Sequence, residues 1–525
     1  MAFDLVIRGG TLYDGTGAPA RRADVAVRGD RIVAVGALGD PAPEARRTID
    51  ATGMAVAPGF IDVHTHSDGW LLTTKNLASK TSQGFTTEIL MSDGISYAPV
   101  SEHNWREWFY YLRALNGLEP EAYEGWHTIA EYLALLAGRT AQNAASLVPY
   151  ANLRVLAAGW GRGPLDDTQI NIIRRQLERA LDEGAVGLST GLDYIAECFA
   201  TTDELVEVCA AMAPYGRPYV THVRYKKGTL RGVQEAVEIG RRAGVPVHIS
   251  HLKAGSPAET ERLLHYVDRV AVNEVDFSFD IYPYLAGSTM FSYLLPYEVW
   301  EQGPLAAKER LHDPGVRERF AMLLECFPLD PARISLAWCS GKAHDALRGK
   351  TLAQVASQRG QTAAETVCDL LLETDMAALS VLRVGGDTLV EPFLEHPCFM
   401  LGTDGIFFPH GQVHPRQYGS APRMLGPLVR TRKLFSLEDA VRKMTSRAAE
   451  RFGLKDRGVV REQGVADLVV FDPERIADRA TYDAPHQMSV GVQHVIVGGQ
   501  SVIADGKAVE TWESHLPGRA IHYGR

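Results

Sequence analysis

The sequence predicts an α/β protein built on a TIM-like (β/α)8 barrel, with a small β domain formed by both chain ends and an insertion in the barrel. Three observations carry this. The middle of the chain alternates short apolar runs with helix-length amphipathic segments. Both ends hold short alternating strands separated by glycine turns. Histidines and an aspartate recur at the ends of the middle runs. Strands alternating with helices imply βα units and a parallel sheet.

At the N-terminal end, FDLVIRGG, ADVAVRGDRIVAVG and ATGMAVAPG alternate valine or isoleucine with polar residues between Gly-Asp or Gly-Gly turns. Small antiparallel strands have this pattern. VADLVVFDP, VQHVIVGGQSVIADG and KAVETW repeat it at the other end. Residues 1–58 and 455–525 are therefore expected to pair into one small domain beside a barrel over 59–454. In the barrel, FIDVHTH, GFTTEIL, NLRVLAAG, AVGLST, RPYVTHVR, VPVHISHL, VDFSFDIYPY and FMLGTDG read as strands. DTQINIIRRQLERALDEG and GTLRGVQEAVEIGRRAG between them have helical periodicity. About eight such strands fit a barrel whose active site lies at the C-terminal strand ends. Residues 286–345 interrupt the rhythm and read as the insertion.

Composition narrows the function. Hydrophobic residues make up 46% and charged residues 22% of the 525, enough for a large core. With 54 basic against 64 acidic residues the net charge is -10. That balance argues against nucleic acid, which needs a basic patch, and against an anionic membrane surface. No uninterrupted apolar run approaches membrane-spanning length. MAFDLVIRGG is broken too early by Gly-Gly to read as a signal peptide. Cys198, Cys209, Cys326, Cys339, Cys368 and Cys398 include no CxxC pair and read as reduced thiols. The expectation is a cytoplasmic protein with a small-molecule partner; oligomeric state is open.

His64 and His66, in FIDVHTHSD, end a predicted strand. Residues two apart on a strand share a face, so both imidazoles can point to the barrel mouth and suit a metal such as zinc. Alone, this pair would equally suit two hydrogen-bonded structural histidines. Repetition distinguishes it: His222 ends RPYVTH, His251 ends VPVHISH and Asp404 lies in FMLGTDG. Catalytic residues of barrels arise from several strand ends. His248 falls on the opposite face from His251, and His396, His410 and His414 lie in loops, so none joins the set.

These residues resemble the amidohydrolase superfamily, and more narrowly the D-aminoacylase (N-acyl-D-amino-acid deacylase) family. The likeness spans nearly the whole chain, through PGFIDVHTHSD, GLSTGLDY, YVTHVR, SHLK, DIYPYLAGST, LGTDG, HPRQYG, PRMLG, MTSRAAERFGL, GVADLVVFDP and DAPHQMSVGVQHVIVGGQ. It implies one metal-binding pair at His64 and His66, a tighter position at His222 and His251, and a catalytic carboxylate at Asp404. It also implies zinc, with one tight site and a second weaker or empty one. For the substrate's free carboxylate it implies Lys253, Tyr282, Ser288 and Arg416. Their chemistry suits an anion, because arginine offers a planar fork, lysine a point charge, and two hydroxyls complete the hydrogen bonds. Outside this context Arg416 would read as a surface arginine in a Gly-Pro-rich loop.

The chain departs from the family at one ligand. GFTTEILMSDGISYAP carries Asp93 where the family has a metal-bridging cysteine. Three readings stand. Asp93 is a working carboxylate ligand, whose two oxygens can bridge; or a harder, weaker donor that lets manganese, iron or cobalt compete; or the cap of a Ser-Asp-Gly turn. The implied reaction is metal-dependent hydrolysis of an N-acyl-D-amino acid. The alternatives are a cyclic amide or imide, a carbamoyl compound or a D-residue dipeptide, or a non-catalytic homologue. GLDYIAECFATTDEL and the insertion are expected to wall the pocket.

Overall fold

The computed structural model describes residues 2–39, 44–326, 330–512 and 515–524. Among these, eight parallel strands form the barrel. They are Phe60–Asp62, Phe85–Leu90, Asn143–Ser146 continued by Val148–Pro149, Leu188–Gly191, Tyr219–His222, Val247–Ile249, Phe277–Ile281 and Phe399–Leu401. Two seams close the ring. At the third strand, the Leu147 amide donates to Leu90 O at 3.1 Å and the Val148 amide to Gly187 O at 2.8 Å. Between first and last strands, the Asp404 amide donates to His64 O at 2.7 Å and the His66 amide to Gly405 O at 3.0 Å. The second seam places the two histidines beside the aspartate.

One predicted strand is a helix. NLRVLAAG lies within Tyr150–Ala158 and its closing Gly159, at φ 71°. The strand precedes it in NAASLVP, where asparagine, alanine and serine give no β-branched signal. The two long periodic segments do form helices. Asp167–Asp182 begins with a reciprocal capping box between Asp166 and Gln169 and buries Ile170, Ile173, Leu177 and Leu181. Thr229–Ala243 buries Val233, Ala236, Val237 and Gly240, and ends at Gly244 in the left-handed region, φ 70°.

Both chain ends contribute to one sheet. Ala55–Pro58 pairs antiparallel with Leu468–Phe471, with Val56 opposite Val470. Period-2 alternation explains why Leu468–Phe471 is buried throughout. Leu468 and Val470 enter the small-domain core with Leu5, Val25 and Ile496. Val469 and Phe471 face the barrel-side core. The last described residues turn away from this sheet: Ile521 donates to Ala144 O at 2.8 Å, and the Ala144 amide donates to Arg519 O at 2.9 Å. Arg519 and Ile521 thus lie against the third barrel strand.

The excursion between the seventh and eighth barrel strands runs beyond residues 286–345. Gly287–Met290, Ile334–Cys339 and Ala378–Leu382 form an antiparallel three-stranded sheet within it. Its later part contains the helices Leu352–Arg359 and Ala363–Glu373. Those helices restore the strand-helix rhythm in sequence, which hides where the excursion ends.

Phe471 is fully buried, with its ring 6.5 Å from that of Phe60. Phe471→Ala is expected to lower unfolding stability by about 3–5 kcal/mol. Leu305→Ala, at a site 52% exposed, should change it by about 0.5 kcal/mol or less. Urea denaturation of the two variants checks the contrast.

Candidate metal centre and active site

Asp93 stands at the centre of the barrel mouth. It follows the second strand in a turn whose Met91, Asp93 and Gly94 all have positive φ, 64°, 55° and 69°. Aspartate and glycine tolerate this region better than most residues. Ser189 pins the turn by donating to Met91 O at 2.6 Å and accepting from the Gly94 amide at 3.2 Å. Gly191 permits the approach, since a Cβ there would lie 2.5 Å from Asp93 O. The Ser-Asp-Gly turn therefore aims the Asp93 carboxylate at the mouth; it does not compete with that placement.

Four imidazoles surround this carboxylate. Asp93 Oδ1 lies 3.5 Å from His64 Nε2 and 3.8 Å from His251 Nε2. Asp93 Oδ2 lies 3.6 Å from His66 Nε2 and 3.9 Å from His222 Nδ1. Asp404 Oδ1 closes the group at 3.2 Å from His66 Nε2 and 3.8 Å from His64 Nε2. His64, Asp93 and His251 form one cluster with potential to hold a metal, and His64, His66 and Asp404 another. His251 and Asp404 also have positive φ, 38° and 48°, a backbone cost common at functional sites.

The donor set fits a divalent cation. Both ring nitrogens of His64 and Asp93 Oδ1 are buried without a hydrogen-bond partner. Buried polar atoms ordinarily find partners. His222 Nδ1 and His251 Nε2 face each other at 3.1 Å. Burial opposes a proton on His64, but Asp93 and Asp280 outweigh it and raise its pKa well above the usual value. The same site thus attracts positive charge. Nitrogen and carboxylate donors suit zinc, with harder ions also accommodated.

Asp404 has a different surrounding on its other oxygen. Arg416 Nη1 lies 2.8 Å from Oδ2. Burial pushes the Asp404 carboxyl up, but the Arg416 guanidinium and His66 hold it below the usual carboxylate range. Arg416 is the first residue of the helix Arg416–Arg423 and is fully buried. Its Nη2 donates to Ser288 O at 3.0 Å, its Cζ lies 4.4 Å from the Tyr282 ring centre, and its Nε makes no hydrogen bond. The arginine expected at a substrate carboxylate thus also braces Asp404. His414, set aside in sequence, supports that arginine by accepting from its amide at 3.0 Å.

A cavity of about 310 Å³ opens beside the cluster, lined by His222, His251 and Asp404 together with Lys253, Tyr282 and Ser288. Lys253 Nζ donates to Tyr282 OH at 2.7 Å, and Ser288 Oγ donates to Ser380 O at 2.6 Å. The excursion supplies Leu285, Tyr293, Leu382 and Val384 to the wall.

Two carboxylates escaped the sequence reading. Asp280 accepts from the His251 amide at 3.0 Å, lies 2.9 Å from His248 Nε2 and 3.6 Å from His64 Nδ1. His248 indeed points away from the cluster, to Asp280 and Ser278. A charged residue inside the apolar run FSFDIYPY was the available signal, since buried charges are rare unless paired. Asp193, in GLDY, lies 3.3 Å from His222 Nε2; nothing in its local pattern marked it.

The amidohydrolase family model matches residues 47–313 and 342–503. D-aminoacylase of Alcaligenes xylosoxydans xylosoxydans is 37% identical over 506 residues, covering 95% of this chain and 94% of that protein. N-acyl-D-glutamate deacylase of the same organism is 36% identical over 528 residues, covering 99% and 96%. A solved structure of N-acyl-D-glutamate deacylase from Bordetella bronchiseptica is complexed with zinc and a phosphonate mimic of the tetrahedral intermediate. It matches with a TM-score of 0.83 at 33% identity, covering 99% of this chain and 100% of that one. With nearly its whole length matched, the chain belongs to the amidohydrolase family, in the group formed by D-aminoacylase and the N-acyl-D-amino-acid deacylases.

Proposed function

We propose that the protein is a zinc-dependent hydrolase that cleaves N-acyl-D-amino acids to a carboxylate and a free D-amino acid. The observation that carries this is Asp93, within 3.9 Å of a ring nitrogen of all four histidines, with Asp404 alongside. Asp93, His222 and His251 would hold the tighter ion. His64 and His66, sharing Asp93, would hold a weaker second ion, and manganese, iron or cobalt suits the same donors. The relatives' activities on N-acyl-D-amino acids support the substrate class. Free thiols at Cys198, Cys209, Cys339, Cys368 and Cys398 fit a cytoplasmic setting; Cys326 lies outside the described side chains. Among the described residues no helix is long and apolar enough to cross a membrane.

Bound zinc supplies Lewis acidity to a water and to the amide carbonyl. Asp404 accepts the water's proton and returns it to the leaving nitrogen, acting as base and then acid. Arg416 keeps Asp404 ionised for the first of these roles. Lys253, Tyr282 and Ser288, which line the cavity, bind the α-carboxylate and orient the scissile bond, and Arg416 stands behind them, bracing Asp404 and donating to Ser288 O. A neutral cyclic amide would leave Lys253 without an anionic partner. Beyond the clamp the wall is apolar and aromatic, and Lys253 is the one cationic side chain among the described residues lining the cavity. An acidic substrate side chain would therefore be desolvated without a counter-charge.

Zinc, manganese and cobalt titrations, followed by assay on N-acetyl-D- and L-amino acids, test the reaction. The expected result is metal-dependent release of D-amino acids, with kcat/KM for N-acetyl-D-leucine about tenfold or more above N-acetyl-D-glutamate. Absence of turnover with every metal and substrate would sink the enzyme reading; preference for L substrates removes the stereochemical part alone. Asp93→Ala should lower the metal content of purified protein, and full retention would remove Asp93 from the ligand set. Asp404→Asn should retain metal while kcat falls by about 10²–10⁴.

A further inference from the structure

Asp193 links the excursion that walls the pocket to one of the clustered histidines. It lies just past the fourth barrel strand, 2% exposed, on the side of His222 away from Asp93. Its Oδ2 is 3.3 Å from His222 Nε2 and accepts from the Lys226 amide at 3.2 Å. Two hydroxyls from the excursion complete its shell. Tyr293 OH donates to Oδ2 at 3.2 Å, and Tyr297 OH donates to Oδ1. Lys226 ties down the same segment, donating from Nζ to Tyr293 O at 2.6 Å and Leu295 O at 3.2 Å.

This arrangement fixes the imidazole. An Nε2–H donated to Asp193 leaves the lone pair on Nδ1, the nitrogen turned toward Asp93 and His251. A carboxylate on the far nitrogen orients a ligand ring and raises its basicity. Tyr293 also lines the substrate cavity. A residue of the cavity wall is therefore one hydrogen bond from Asp193 and two from His222.

We infer that Asp193 is a positioning residue for His222, itself held by Tyr293 and Tyr297, so that docking of the excursion sets the strength of the tighter metal position. This rests on the metal-binding reading above. The alternative is that Asp193 only anchors the excursion to the barrel.

Zinc affinity measured by chelator competition separates the two, with thermal unfolding of the metal-stripped proteins in parallel. Asp193→Ala should weaken zinc binding about 10–100-fold. Tyr297→Phe, which keeps the ring and removes the donor, should weaken it in the same direction by a smaller factor. Anchoring alone would lower the unfolding temperature of the stripped variants and leave zinc affinity within about twofold of the parent, overturning the inference. If Asp193→Ala does not fold, Tyr297→Phe decides by the same criterion. A parent protein that takes up no zinc would overturn the metal reading and this inference together, whereas a parent that binds zinc alongside indifferent variants would overturn the inference alone.

Discussion

The active-site mouth is organised around a buried carboxylate, Asp93, whose Oδ1 has no hydrogen-bond partner among the described residues. Asp93 lies among four imidazoles at distances of 3.5–3.9 Å, too long for hydrogen bonds and well placed for a shared cation. Removing a carboxylate from water is costly unless it is paired. Asp280 and Asp193 add negative charge behind His64 and His222, while Arg416 is committed to Asp404 and Ser288. The excess of negative charge suits this mouth to a cation.

The fold serves this cluster through close backbone approach. The seam between first and eighth strands fixes Asp404 beside His64 and His66 through the same amides that close the barrel. The turn bearing Asp93 can reach the centre because Gly191 has no side chain and because aspartate and glycine accept left-handed backbone. The small sheet at the chain ends lies away from the mouth. Its strand Leu468–Phe471 shares its faces between two cores and so holds the barrel and the terminal domain together.

The substitution of aspartate for the family's cysteine reads differently once the surroundings are known. A thiolate is a soft, single-atom donor; a carboxylate is harder and offers two oxygens. Here the two oxygens of Asp93 divide the histidines, Oδ1 toward His64 and His251 and Oδ2 toward His66 and His222. Arg416 likewise acquires a second partner, since its guanidinium sits between Asp404 and the ring of Tyr282. Asp404 and Tyr282 therefore both depend on one buried cation.

Strand-helix alternation, period-2 ends and ligand-type residues at strand ends were all present in the sequence, because they are local patterns imposed by the barrel's repeating geometry. His64, His66, His222, His251 and Asp404 were legible for that reason. NAASLVP was not, since its small residues carry no strand signal and the apolar run after it imitates one. The end of the excursion was hidden by helices that repeat the barrel's own rhythm. The partners of Asp280, Asp193 and Arg416 were beyond reach for a further reason: hydrogen bonds between distant segments leave no periodicity in either. The sequence by itself determined the barrel and the donors at its mouth. Tertiary structure alone decided which oxygen faces which imidazole and which charge lies against each carboxylate, because those depend on how separate strands and the excursion converge.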